Sequence, residues 1–155
     1  MKDSSLNTDH SLSLDAFFTF AIAASTALEE WHKNNGTHKD IRPLNIISDA
    51  DAHTVRLNEP DTESSPLSPQ RLPYISPEQT GRMNRLTDYR SDIYSLGVVL
   101  YETLTGTPPF VSEDPLALIH KLIAKTPEEP AAASDDIPKQ LSDIAMRLLE
   151  KTAEE

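Results

Sequence analysis

An aspartate and an asparagine stand five residues apart in the octapeptide HKDIRPLN, residues 38–45. A carboxylate can accept a proton or bind a cation, and an amide oxygen can bind a cation, so Asp40 and Asn45 are groups that could do chemistry. The octapeptide contains a proline and directly follows a long helical pattern. Taken alone, it has two interpretations: a catalytic loop, or a helix exit in which Asp40 is a turn or capping residue.

The octapeptide is placed between a predicted helix and a predicted hairpin. Ser13 is suited to cap the helix, and Asn35-Gly36 is suited to end it. After the octapeptide, the runs NIIS and TVRL predict two short strands joined by a turn at residues 49–51. The apolar residues of the predicted helix are Leu14, Phe17, Phe18, Ala21, Ile22, Leu28 and Trp31.

A long irregular loop is predicted next. Residues 59–77 hold five of the twelve prolines and almost no apolar run. Long loops inside compact domains are usually functional or disordered. We interpret this loop as a regulatory or substrate-binding segment.

Three further helices are predicted after the loop. The run from Ile93 to Leu104 is apolar nearly all round, which is typical of a buried central helix. Asp114-Pro115 favours a helix start, and the stretch EEPAAASDD is expected to be a solvated acidic linker before the last helix. The residues predicted to point inward are Leu116, Ile119, Leu122 and Ile123 in the one helix and Leu141, Ile144, Ala145, Leu148 and Leu149 in the last.

Composition limits the classes of partner. The 155 residues are enough for about one domain, and their net charge of -11 argues against binding to nucleic acid or to an anionic membrane. The longest apolar run, residues 16–24, is far shorter than the roughly 20 residues that span a bilayer. The chain has no cysteine, which fits a reducing compartment. We therefore expect a cytoplasmic protein.

The order of these elements resembles the C-terminal lobe of a eukaryotic-type Ser/Thr protein kinase over residues 12–155, with residues 1–11 as a polar tail. HKDIRPLN is similar to the catalytic loop H-R-D-x-x-x-x-N, SPE at residues 76–78 to the A-P-E that closes the activation segment, and DIYSLG at residues 92–97 to the start of the buried central helix. The wording YISPEQTGRMNR resembles, more narrowly, the kinase-like domain at the front of multidomain signalling histidine kinases. The resemblance implies a mainly α fold with a small β-hairpin.

The resemblance also implies roles for individual residues. Asp40 takes the place of the catalytic base, and Asn45 that of a magnesium ligand. Arg42 stands where many members have a lysine, and its fork could meet a phosphate oxygen. The residues implied to be structural are His38, which supports Asp40, Glu78, which forms a buried ion pair in the family, and Asp92, which accepts hydrogen bonds from the catalytic-loop backbone.

ATP and magnesium are the cofactors that the resemblance implies. The sequence departs from the family both in the residues that bind ATP and in those that bind magnesium. The N-terminal lobe, with its Gly-rich loop, lysine strand and glutamate helix, would lie ahead of residue 12, and none of the four glycines is left for a phosphate loop. Where D-F-G should follow TVRL, residues 58–61 read NEPD, so Glu59 is the best-aligned magnesium ligand, or Asn58 or Asp61 if the register slips. The Gly-Thr pair that the family commonly has shortly before YISPE is absent, and Arg71 stands near its position instead.

Three hypotheses follow. The first is a degenerate or truncated kinase-like domain, inactive as an isolated chain, which regulates or scaffolds through a protein partner, a missing N-terminal lobe or further signalling domains. The second is part of an active ATP-dependent Ser/Thr kinase whose nucleotide lobe lies upstream. The third is an unrelated helical binding domain.

Overall fold

The computed structural model of the protein describes residues 13–49 and 51–151. The fold is mainly α with one small β-hairpin, as the sequence predicts. The predicted polar tail, residues 1–11, lies outside the described residues. The elements in chain order are α1 (Leu14–Asn35), β1 (Ile46–Ser48), β2 (Val55–Leu57), α2 (Tyr89–Thr105), α3 (Pro115–Ala124), α4 (Pro130–Ala133) and α5 (Lys139–Leu148), with 3-10 turns at Pro43–Asn45 and Pro77–Thr80.

Helix α1 begins and ends where the sequence predicts. The Ser13 side chain accepts a hydrogen bond from the Ala16 N–H at 3.2 Å, and Gly36, with φ of 77°, ends the helix in a conformation that suits glycine. One face of the helix is buried through Phe17, Ala24 and Leu28. The chain therefore passes from the end of α1 into the 38–45 loop, most of which is buried.

The hairpin that follows this loop is antiparallel, with Ile46 opposite Leu57 and Ser48 opposite Val55. Its turn is held by Asp49, whose carboxylate accepts from the His53 N–H and the Thr54 hydroxyl. The turn therefore lies where the sequence predicts but extends further along the chain. The residue after β2 lies beside the 38–45 loop, because the Asn58 N–H donates to Asn45 O at 2.9 Å.

Helix α2 is the central pillar, and its stretch from Tyr94 to Tyr101 is buried. Ile93 is an exception, because 37% of it is exposed. Gly97 lies against α5: a Cβ built there would stand 2.6 Å from Leu148 Cβ. The two helices therefore approach closely because Gly97 has no side chain.

The predicted inward orientation is wrong for two residues. Leu116 in α3 is 63% exposed, and Leu118 is buried instead; Ile144 in α5 is 55% exposed, and Ser142 is buried instead. Both helices carry apolar residues on adjacent positions, so the sequence period does not fix their rotation to within one residue. The predicted acidic linker is also partly wrong, because α4 forms there and buries Pro130.

The apolar core is divided into separate clusters. One joins α1, α2 and α5 through residues that include Phe17, Leu100 and Leu141. Another packs Leu72 and Ile75, from the end of the 59–77 segment, against α3. Within the described parts of the chain, no helix has both the length and the apolar character needed to cross a bilayer.

Asp92, in the first turn of α2, ties three parts of the fold together. Its carboxylate accepts hydrogen bonds from the His38 N–H and the Lys39 N–H, both at 2.7 Å. The same group lies 2.8 Å from His32 Nε2, on the last turn of α1. Asp92 is only 1% exposed, so these donors replace its lost hydration.

We expect Gly97→Ala to destabilise the protein by about 1–3 kcal/mol, because the new methyl group overlaps Leu148. The unfolding free energy from urea titration measures this. If α2 and α5 were not in close contact, the better helix propensity of alanine would instead stabilise the protein by up to about 1 kcal/mol. The sign of the change therefore decides between the two outcomes.

We expect Asp92→Ala to cost on the order of 1–3 kcal/mol, because it leaves buried N–H groups of the 38–45 loop without an acceptor. The matched control is Asp143→Ala, which removes an exposed acid from α5 and should change stability by no more than about 0.5 kcal/mol. Thermal and urea unfolding compare the two variants. Equal stabilities would contradict the anchoring role.

Candidate active site

The 38–45 loop presents Asp40 through an unusual backbone conformation. Lys39 has φ of 66°, in the left-handed region that non-glycine residues rarely adopt. The two hydrogen bonds to Asp92, from the N–H groups of His38 and Lys39, hold the backbone that leads into this turn. As a result the Asp40 side chain lies inside the protein, with only 2% of its surface exposed.

Both carboxylate oxygens of Asp40 are in contact with groups of the same chain. Oδ1 lies 3.0 Å from the Nε atoms of Arg42 and Arg71. These contacts are ion pairs and not hydrogen bonds, because neither Nε–H points at the oxygen. Oδ2 accepts from Asn45 Nδ2 at 2.8 Å and from the Asp61 N–H at 3.0 Å. Arg42 Nη2 adds a longer contact to Oδ2 at 3.5 Å. The structure therefore brings the predicted Asp40, Arg42 and Asn45 together.

Arg71 is the residue of this site that sequence reasoning missed as a functional group. Its Nη1 donates to the carbonyl oxygens of Asp61 and Ser64 at 2.9 and 2.8 Å, and its Nη2 donates to Lys39 O at 3.2 Å. The side chain is 6% exposed. The available signal was the arginine itself, near the position where the family has its Gly-Thr pair.

The His38 side chain links the 38–45 loop to the segment after β2. Its Nε2 lies 2.8 Å from Asn58 O, and its Nδ1 accepts from the Asp40 N–H at 3.2 Å. A carbonyl oxygen can only accept and an amide N–H can only donate, so these partners select the neutral tautomer with the proton on Nε2. The Trp31 ring packs on the imidazole at a centroid distance of 4.6 Å.

Of the predicted metal ligands, Asn45 is buried and Glu59 is exposed. Asn45 Nδ2 donates to both Asp40 O and Asp40 Oδ2, which leaves Asn45 Oδ1 as the amide atom that could bind a cation. Glu59 is exposed on the segment after β2. Within residues 13–49 and 51–151, no three His, Asp or Glu side chains are grouped to hold a metal ion.

Asp61 serves its own segment. Its Oδ1 accepts from the N–H groups of Glu63 and Ser64, both at 3.0 Å. Interaction with Ser64, through its side chain and then its N–H, and with the Glu63 N–H lowers the pKa of Asp61 to about 2, with a smaller effect of the Arg71 charge. The Asp61 carboxylate is therefore committed to a local turn.

The charges around Asp40 are unfavourable for a magnesium ion. Two buried guanidinium groups surround one buried carboxylate, and like charges repel strongly where water is excluded. The acid that aligns with the family's main magnesium ligand, Glu59, is exposed. The residues as they are placed do not fit a bound magnesium.

Glu78 and its neighbours pack the end of the 59–77 segment against the loop. Glu78 is half-buried, and its carboxylate accepts a hydrogen bond from the Ser91 hydroxyl at the start of α2. Gln79 Nε2 donates to Lys39 O at 3.0 Å. Burial, and then the Glu78 charge, raise the pKa of Tyr94. Glu78 therefore joins the turn at Pro77–Thr80 to α2.

The sequence is similar to those of known protein kinases. It is 32% identical over 149 residues to a probable serine/threonine-protein kinase of Clostridium perfringens, covering 90% of this chain and 21% of that protein. It is 32% identical over 139 residues to the serine/threonine-protein kinase PknB of Mycolicibacterium smegmatis, covering 83% of this chain and 22% of that protein. The chain thus spans about a fifth of the length of these two relatives.

A third relative agrees with the narrower resemblance of the YISPEQTGRMNR stretch. Over 82 residues the chain is 45% identical to the hybrid signal transduction histidine kinase G of Dictyostelium discoideum, which covers 53% of this chain and 2% of that protein. The protein kinase domain family itself matches residues 3–155. With that match and a loop that brings Asp40 and Asn45 together, the chain belongs to the protein kinase domain family.

Proposed function

We propose that this chain is a regulatory or scaffolding kinase-like domain of signal transduction, and that it does not itself transfer phosphate. One observation carries the proposal: both oxygens of the Asp40 carboxylate are in contact with the chain's own groups, Oδ1 as ion pairs with Arg42 and Arg71 and Oδ2 as acceptor from Asn45 and the Asp61 N–H. In the family, the aspartate at this position accepts the proton of the substrate hydroxyl. Here that acceptor is already occupied.

A substrate hydroxyl would have to displace charged donors. A general base must come within about 2.6–3.2 Å of the group whose proton it takes, and the two Arg Nε atoms and two N–H donors already lie 2.8–3.0 Å from the Asp40 oxygens. Separating a buried carboxylate from its cationic partners is strongly destabilising, because the charges are left uncompensated. The exchange is therefore unfavourable in this conformation.

The cofactor chemistry of the family supports the same proposal. Protein kinases use ATP and magnesium to place and neutralise the transferred phosphate. Around Asp40 the positive charge comes from Arg42 and Arg71 instead, and Glu59 is exposed. We propose that the domain acts in the cytoplasm by contacting a protein partner, an N-terminal lobe or further signalling domains.

The second candidate function is that of an active ATP-dependent Ser/Thr kinase whose nucleotide lobe lies upstream. The observation that favours it is the hydrogen-bonded pair of Asp40 and Asn45 on an anchored loop. An upstream lobe could supply a phosphate loop and a lysine. Opening of the 59–77 segment would then have to release Asp40 first.

We expect no transfer of labelled phosphate from magnesium ATP to the protein itself or to generic protein substrates, because Asp40 is in contact with the chain's own cations and donors. The assay is run on this chain and on the full-length protein that its gene encodes. Asp40→Asn is the control for phosphate bound or transferred by other means, and its signal should equal that of the unchanged protein.

Phosphate incorporation that is present in the unchanged protein and lost in Asp40→Asn would overturn the proposal and favour the second candidate. If only the full-length protein shows such a difference, the nucleotide lobe lies elsewhere in its sequence. That result would also contradict the regulatory assignment, because Asp40 would then act as a base.

A further inference from the structure

We infer that Arg71 is a lock: its guanidinium fastens the 59–77 segment over Asp40 and determines whether that carboxylate can meet another molecule. The inference deepens the proposed function, on which it rests for its biological meaning. Its physical content is separate, because it concerns which side chain keeps the segment closed. Arg71 is a positioning residue in this account.

The contacts of Arg71 join two parts of the chain that are far apart in sequence. Toward the 38–45 loop, it lies 3.0 Å from Asp40 Oδ1 and donates to Lys39 O at 3.2 Å. Toward its own segment, it donates to the carbonyl oxygens of Asp61 and Ser64 at 2.9 and 2.8 Å. A planar guanidinium can serve acceptors on several sides at once, which a lysine ammonium on its flexible stem cannot reproduce.

The two ends of the segment differ in how firmly they are held. Leu72, directly after Arg71, is 1% exposed and belongs with Ile75 to the cluster packed on α3. By contrast, residues 62–67 are all exposed. Arg71 therefore extends from the part of the segment that is packed on α3 and holds the exposed part in place. Residues 62–67 are the part that would move if the Arg71 contacts were lost.

The lock also fixes a backbone group on Asp40. The Asp61 N–H donates to Asp40 Oδ2 at 3.0 Å, and the Asp61 carbonyl is one of the acceptors of Arg71. Without the guanidinium, Asp61 would lose the contact that holds its carbonyl side. We therefore expect the Asp61 hydrogen bond to Asp40 to weaken together with the rest of the closure.

A threonine is the informative replacement for Arg71. Threonine is the residue of the Gly-Thr pair that the family commonly has near this position, so Arg71→Thr removes the guanidinium and keeps a hydroxyl. Asp40 still retains Arg42 and Asn45 as partners, so its buried charge stays compensated. Arg82→Thr, at an exposed residue of the same chain, is the matched control for loss of an arginine.

The test measures both sides of the lock in the unchanged protein and in the variants. Carbodiimide labelling read by mass spectrometry reports how accessible the Asp40 carboxylate is. Hydrogen–deuterium exchange reports how often the amides of residues 61–68 open. In Arg71→Thr we expect both rates to rise by about tenfold or more, as the loss of charge-assisted hydrogen bonds would give. In Arg82→Thr both should remain at the level of the unchanged protein.

Equal labelling and exchange in Arg71→Thr and in the unchanged protein would overturn the lock. If Arg71→Thr does not fold, as judged by circular dichroism, Arg71→Lys replaces it, because it keeps the charge and loses the fork. Faster labelling in Arg71→Lys supports the lock, and rates like those of the unchanged protein contradict it. Failure of the proposed function has another signature, which is phosphate transfer that depends on Asp40.

Discussion

One buried carboxylate, that of Asp92, organises the parts of the fold that make the site. It accepts hydrogen bonds from the N–H groups of His38 and Lys39 and contacts the His32 side chain. As a result α1, the 38–45 loop and α2 meet at a single charged group. A buried charge is tolerated only when hydrogen bonds replace its hydration. The left-handed turn at Lys39 follows from these bonds, and that turn directs the Asp40 side chain inward.

The charge balance around Asp40 supports the proposal that this loop does not transfer phosphate. Two guanidinium groups face one carboxylate, and the excess positive charge is offset by the carbonyl oxygens of Lys39, Asp61 and Ser64 around Arg71. The cations beside Asp40 are therefore the chain's own guanidinium groups. Family membership sets aside the hypothesis of an unrelated helical domain, whereas the regulatory role remains our proposal.

Much of the fold could be predicted because its signals are local. The Ser13 cap, the Asn35-Gly36 end of α1 and the buried stretch of α2 each depend on short sequence patterns. The rotations of α3 and α5 could not be predicted, because neighbouring apolar residues such as Leu116 and Leu118 compete for the inner face. Arg71 stands near the position of the family's Gly-Thr pair, but its contact with Asp40 could not be predicted, because Asp40 lies 31 positions away and meets it only through tertiary structure.

The most direct measurement of the central claim is a double-mutant cycle between Asp40 and Arg71, with Asp40→Asn, Arg71→Thr and the double variant compared by urea unfolding. The cycle isolates the interaction of the two side chains from the separate effects of each substitution. Contacting charged residues in one network commonly couple by about 0.5–3 kcal/mol. We predict a favourable coupling between Asp40 and Arg71 of at least about 1 kcal/mol. A coupling indistinguishable from zero would contradict it, because Arg71 would then not be what holds the Asp40 carboxylate.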